Sequence, residues 1–189
     1  MKAFVFVAIV AFAGCGDSGP TVPAQPMKGA QRPPYASLLE AHQDGDQQAL
    51  RVRVDTARNR LWVLGLDDVY VYDIASKHLI RRIALPEWYI AVADLICNPD
   101  MALDRSGAAF ISDNLQPTLW EIDPESFQLK KHVIRLVKRE NWDIGFGGLA
   151  FASDGTLFGL TASGASLWQL DLGSASAHQV EADAVPDCS

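Results

Sequence analysis

Val69-Tyr70-Val71-Tyr72-Asp73, Leu119-Trp120-Glu121-Ile122-Asp123 and Leu167-Trp168-Gln169-Leu170-Asp171 share one pattern, aliphatic, aromatic, variable, apolar, Asp, at offsets of 50 and 48 residues. Such a run reads as a strand entering a turn, because a short carboxylate at the strand end accepts the amides of the turn that follows. Upstream of each copy lies a second match. Arg58-Asn59-Arg60-Leu61-Trp62, Ser106-Gly107-Ala108-Ala109-Phe110 and Asp154-Gly155-Thr156-Leu157-Phe158 align at a constant offset of 48. Asn59, Gly107 and Gly155 fall at the turn position that tolerates positive φ. Before these turns come Leu50 to Asp55, Met101 to Asp104 and Leu149 to Ala152. After each shared Asp comes another strand-like stretch: Leu79 to Ile83, Leu129 to Ile134 and Ala177 to Val180. Each repeat is therefore predicted to be a four-stranded antiparallel unit.

Short strands joined by tight turns at close to 48 residues are the pattern of propeller blades. The predicted class is all-β, a partial β-propeller of three four-stranded antiparallel blades. At motif level, Gly148 to Leu157 and Asp55 to Val63 resemble the blade start of NHL-repeat, YVTN-type and gluconolactonase-like propellers. Met101 to Asp123, with Asp113-Asn114 after one strand and Asp123 after the next, resembles blades of the yellow and royal-jelly protein family. The repeated aromatics, Trp62, Phe110 and Phe158 with Tyr70, Trp120 and Trp168, read as packing between blades, where each buries roughly 150 to 250 Å². Closed rings typically have roughly 4 to 8 blades. Three blades are thus expected to leave an apolar face at each end, which favours self-association or pairing with another propeller fragment.

Ahead of the repeats the chain reads as an address. Lys2 gives a positive start, Phe4 to Ala13 an apolar core, and Ala13-Gly14 small residues before Cys15. Phe12-Ala13-Gly14-Cys15 resembles the lipobox of bacterial lipoproteins, with Phe12 in place of the usual aliphatic residue, and the resemblance implies that Cys15 carries the lipid. Residues 15–48 hold Pro20, Pro23, Pro26, Pro33 and Pro34 among Gly, Ala and Gln, a composition suited to a flexible tether. The expected organisation is a signal peptide over 1–14, lipidated Cys15 and tether over 15–48, and a three-bladed domain over 49–189. Its expected location is a bacterial membrane, on the periplasmic or outer-membrane face. No apolar run reaches the roughly 18 residues that cross a bilayer. Sixteen Lys and Arg against 23 Asp and Glu give a net charge of -7, which argues against nucleic acid as a partner.

No catalytic motif is recognisable. Cys-x-x-Cys, the Gly-x-Ser-x-Gly elbow and phosphate-cradling glycine loops are all missing from the sequence. His42, His78, His132 and His178 lie at no ligand spacing, and the last three are expected on solvated outer strands. Lys130, Lys131, Arg135, Lys138 and Arg139 read as a charged sheet edge. Cys97 and Cys188 either form a disulfide or stand as two thiols, and spacing does not decide between them. The loops entering each first strand, and those between second and third strands, carry Asp67, Asp68, Asn98, Asp100, Asp113, Asn114 and Asp143. The gluconolactonase-like resemblance implies a metal such as calcium held by acidic and amide side chains there; Asn98, Asp113 and Asn114 are the candidates, against plain turn duty for the same residues. Two functions follow: a lipid-anchored binding or scaffold module without catalysis, or a metal-dependent lactonase or esterase.

Overall fold

The computed structural model describes residues 49–88, 90, 97–137, 144–162 and 166–180. Strands β1 (Arg51–Asp55), β2 (Arg60–Leu64), β3 (Asp68–Asp73) and β4 (Leu79–Ala84) form the first sheet in chain order. The second has β5 (Met101–Leu103), β6 (Ala109–Ser112), β7 (Thr118–Ile122) and β8 (Leu129–Val133), also in chain order. The third runs β10 (Phe146–Phe151), β11 (Leu157–Thr161), β12 (Leu167–Asp171) and β13 (Ser176–Gln179), with β9 (Arg135–Val137) added outside β13. The first strands touch from sheet to sheet, β1 on β5 and β5 on β10, so the three sheets radiate from a common line.

The expected turns are in place, and their backbone explains their residues. Asn59, Gly107 and Gly155 have φ of 54°, 86° and 93°, the left-handed region open to Gly and tolerated by Asn. The turns after the shared Asp carry a second left-handed set at Lys77, Phe127 and Ala175. In each, the Asp carboxylate accepts the amide of a Ser three residues on: Ser76 at 2.6 Å, Ser126 at 2.7 Å and Ser174 at 3.3 Å.

Packing follows one rule. The aromatic of each second strand faces the next sheet, and that of each third strand faces the one before. Trp62 and Trp120 thus meet in the core between sheets one and two, with Val71, Met101 and Ile111. Phe110 and Trp168 share the core between sheets two and three, with Leu119, Phe146 and Leu170. All three tryptophans are fully buried. Arg58 adds a polar clasp, bonding Asp55 in its own sheet and Glu125 in the next.

Two expectations need correction. The third sheet has five strands, and the β9–β13 pair is parallel, so it is not a plain four-stranded antiparallel blade. β9 leaves the outer strand of sheet two after only Ile134, crosses the gap and closes the outer edge of sheet three. His132 is not solvated: it is buried on the side of β8 facing sheet three, with Nε2 2.7 Å from Glu121 Oε2. Both end faces keep apolar side chains in reach of solvent. On sheet one Val54 is 38% exposed, and Val52 and Tyr72 are half-buried beside the buried Leu61, Val63 and Tyr70. On sheet three Phe158, Leu160 and Leu167 are half-buried and Ala150 is exposed.

Candidate functional site

The polar groups that join all three sheets gather where the first strands converge, around Asp100, the residue just before β5. Asp100 is 8% exposed. Its Oδ1 accepts Arg51 Nε at 3.2 Å and an Arg53 Nη at 2.8 Å, both from β1, as well as its neighbour Met101 N at 2.8 Å. Its Oδ2 accepts Leu149 N of β10 at 2.9 Å. One carboxylate therefore ties β1, β5 and β10 together. A buried charge is tolerated only when paired and fully hydrogen-bonded, and this one is both. Ser112 extends the network: Asp100 N donates to Ser112 Oγ at 2.8 Å, and Trp88 Nε1 donates to Ser112 O at 3.1 Å.

Beside it lies the Asp113-Asn114 turn after β6. Asp113 Oδ1 accepts Leu115 N at 2.7 Å and Gln116 N at 3.0 Å, while Oδ2 is buried with no partner. Burial pushes this carboxyl above the usual carboxylate range, against the pull of the two turn amides. Asn114 Nδ2 donates to Cys97 O at 3.1 Å, which brings the 97–100 segment against the turn. Phe146 N donates to Asp113 O at 2.8 Å, and Gly145 passes so close that a Cβ there would overlap Asp113 O.

Of the candidate metal ligands, Asp113 and Asn114 are thus adjacent and buried, and Asn98 lies half-buried in the facing segment. Among the described residues, no group of three or more His, Cys, Asp or Glu is arranged to hold a metal ion. Asp68 is turned to Arg82 Nε at 2.6 Å, and Asp67 is exposed. Lys131 pairs with Glu87 at 2.7 Å and lies over the Trp120 ring, so it serves more than a solvated edge. Cys15, His42, Lys138, Arg139, Asp143 and Cys188 lie outside the described residues, as do the signal and tether segments. The Cys97–Cys188 question therefore stays with the sequence. Sequence reading passed over Arg51 and Arg53, whose signal was two cations at i and i+2 on an innermost strand.

These sheets, radiating from converged first strands, match part of a β-propeller. No protein-family model matches the chain, nor does any curated protein. Solved structures do match: virginiamycin B lyase from Staphylococcus aureus aligns at TM-score 0.53 and 10% identity, over 74% of this chain and 43% of the lyase. The catalytically inactive H-to-A variant of that lyase, solved with quinupristin, aligns at TM-score 0.54 and 11% identity, over 75% and 44%. The chain therefore spans less than half of the lyase, and the likeness is one of fold.

Proposed function

We propose that this chain is a membrane-anchored bacterial lipoprotein whose propeller-type domain is a binding or scaffold module without catalysis of its own. The observation that carries the non-catalytic part is the fate of the polar side chains where the first strands converge. Asp100 has four donors, Asn114 reaches a backbone carbonyl and Ser112 is bonded on both sides, so these groups join sheets. A lyase reading borrowed from the solved neighbours meets an obstacle. That enzyme is inactivated by replacing one histidine, whereas the described histidines here, His78, His132 and His178, lie beside or on the fourth strand of each sheet, away from the converging first strands. The Cys15 anchor rests on the lipobox-like start and the Pro-rich stretch behind it. Stable anchoring takes more than one acyl chain, which the lipidated Cys would supply. Cys15→Ser should therefore move the protein from the membrane pellet to the soluble fraction. Retention in the pellet at parental levels would sink the anchor.

One observation favours the metal-dependent hydrolase: the buried, unpartnered Asp113 Oδ2. On that reading a chelator lowers both the melting temperature and any lactonase activity. On the binding reading it changes neither. The reading also includes a partner for the free face of sheet three, either a second copy or another propeller fragment. The packing rule supports this, because Phe158 stands where Trp62 and Phe110 each meet a following sheet.

A further inference from the structure

Arg51 and Arg53 share one carboxylate. Arg51 Nε and an Arg53 Nη both end on Asp100 Oδ1, and their second bonds go to the carbonyls of Leu50 and Val52. A guanidinium has five N–H donors, so each arginine uses two and retains three. Their side chains are 32% and 35% exposed. Asp100 has no acceptor capacity to spare, because the Met101 and Leu149 amides occupy it as well. Among the described residues, no second carboxylate pairs with either arginine. Two positive charges facing one negative leave a surplus of one in a chain whose net charge is -7. This surplus lies where the first strands converge, with sheets on either side to exclude water and concentrate its field.

We propose that Arg51 and Arg53 form a binding site for a small carboxylate-bearing molecule, with Asp100 as the positioning residue that holds the two guanidiniums side by side. The planar fork of arginine matches a carboxylate bidentately, which a lysine ammonium does not. Asp100 fixes both side chains before any ligand arrives, which lowers the entropy lost on binding. This deepens the binding-module reading above and rests on it.

The test is a calorimetric titration of the full chain in non-ionic detergent with malonate, against sodium chloride at matched ionic strength. Saturable binding of malonate is expected, with chloride giving none. Arg51→Lys and Arg53→Lys keep the charge and lose the planar fork, and each should weaken malonate at least tenfold with circular dichroism showing the sheets intact. Asp100→Asn removes the carboxylate that holds the two guanidiniums side by side and should weaken malonate, with circular dichroism showing the sheets intact; unchanged binding by that variant would remove Asp100 from the positioning role. Wild-type protein without saturable binding overturns the proposal, as does undiminished binding by both lysine variants. Inorganic phosphate is the second arm: if it binds more tightly than malonate, the carboxylate assignment falls. The failures are separable, because a chain that fractionates with membranes yet ignores malonate loses this site and keeps the anchor. A chain that binds malonate but shows chelator-sensitive hydrolysis keeps the site and loses the non-catalytic reading.

Discussion

Trp120 shows how little freedom the core residues have. It is fully buried between sheets one and two, and its Nε1 has no partner there. Trp120→Ala should cost about 3 to 5 kcal/mol, the range for truncating a buried aromatic. Trp120→Phe keeps most of the volume and removes the orphan donor, so it should cost well under half of that. Urea denaturation of the two variants checks the contrast, and equal losses would refute the packing role. Asp113 gives a signed pH effect. Its carboxyl is raised by burial, so it holds its proton more tightly folded than unfolded. Its contribution is therefore most favourable below the unfolded value of about 3.9 and turns against the fold as pH rises through the folded value. Asp113→Asn removes this dependence. The melting temperature of the wild type should gain on the variant between pH 7 and pH 4, and a constant gap would contradict the assignment.

At the scale of elements, the turns after the shared Asp work in the opposite sense and in a different window. Asp73, Asp123 and Asp171 are all held below the usual range, the first two chiefly by a serine amide and the third chiefly by a serine hydroxyl. A lowered carboxylate contributes stability that is present above about pH 3.9 and lost as pH falls through the folded value. Asp123→Ala should accordingly flatten the acid limb of stability below about pH 4 and leave its slope above that unchanged. Urea midpoints measured across the two windows check it. The strands and turns were largely legible in the sequence, because the repeat fixes strand spacing and left-handed turns demand Asn or Gly. The Asp-x-x-Ser signature at 73–76, 123–126 and 171–174 was equally visible and unread. β9 was not legible. No turn residue separates Val133 from Arg135, so a new strand looks like more of the old one. Nor was the Asp100 hub: its partners Arg51 and Leu149 each lie 49 residues away and meet it only because the first strands converge.

For the whole molecule, the proposed association is tested at the end face of sheet three, where Phe158 stands as Trp62 and Phe110 do against a following sheet. Sheet one ends on exposed Val54 with half-buried Val52 and Tyr72, and sheet three on half-buried Phe158, Leu160 and Leu167. Light scattering on full-length Cys15→Ser protein should report a mass above that of one chain, and adding Leu160→Arg should return it to a single chain. A wild-type mass of one chain, unchanged by the arginine, would show that this face is not an interface. The β9 clip has a further consequence, in time rather than in space. β9 pairs with β13, about 40 residues later and the last strand described, so no local contact can secure it early. During synthesis sheets one and two can complete themselves while β9 waits with its amides open. The pairing that seals the second sheet's exit and the third sheet's edge is thus one event, and it waits until β13 has been made.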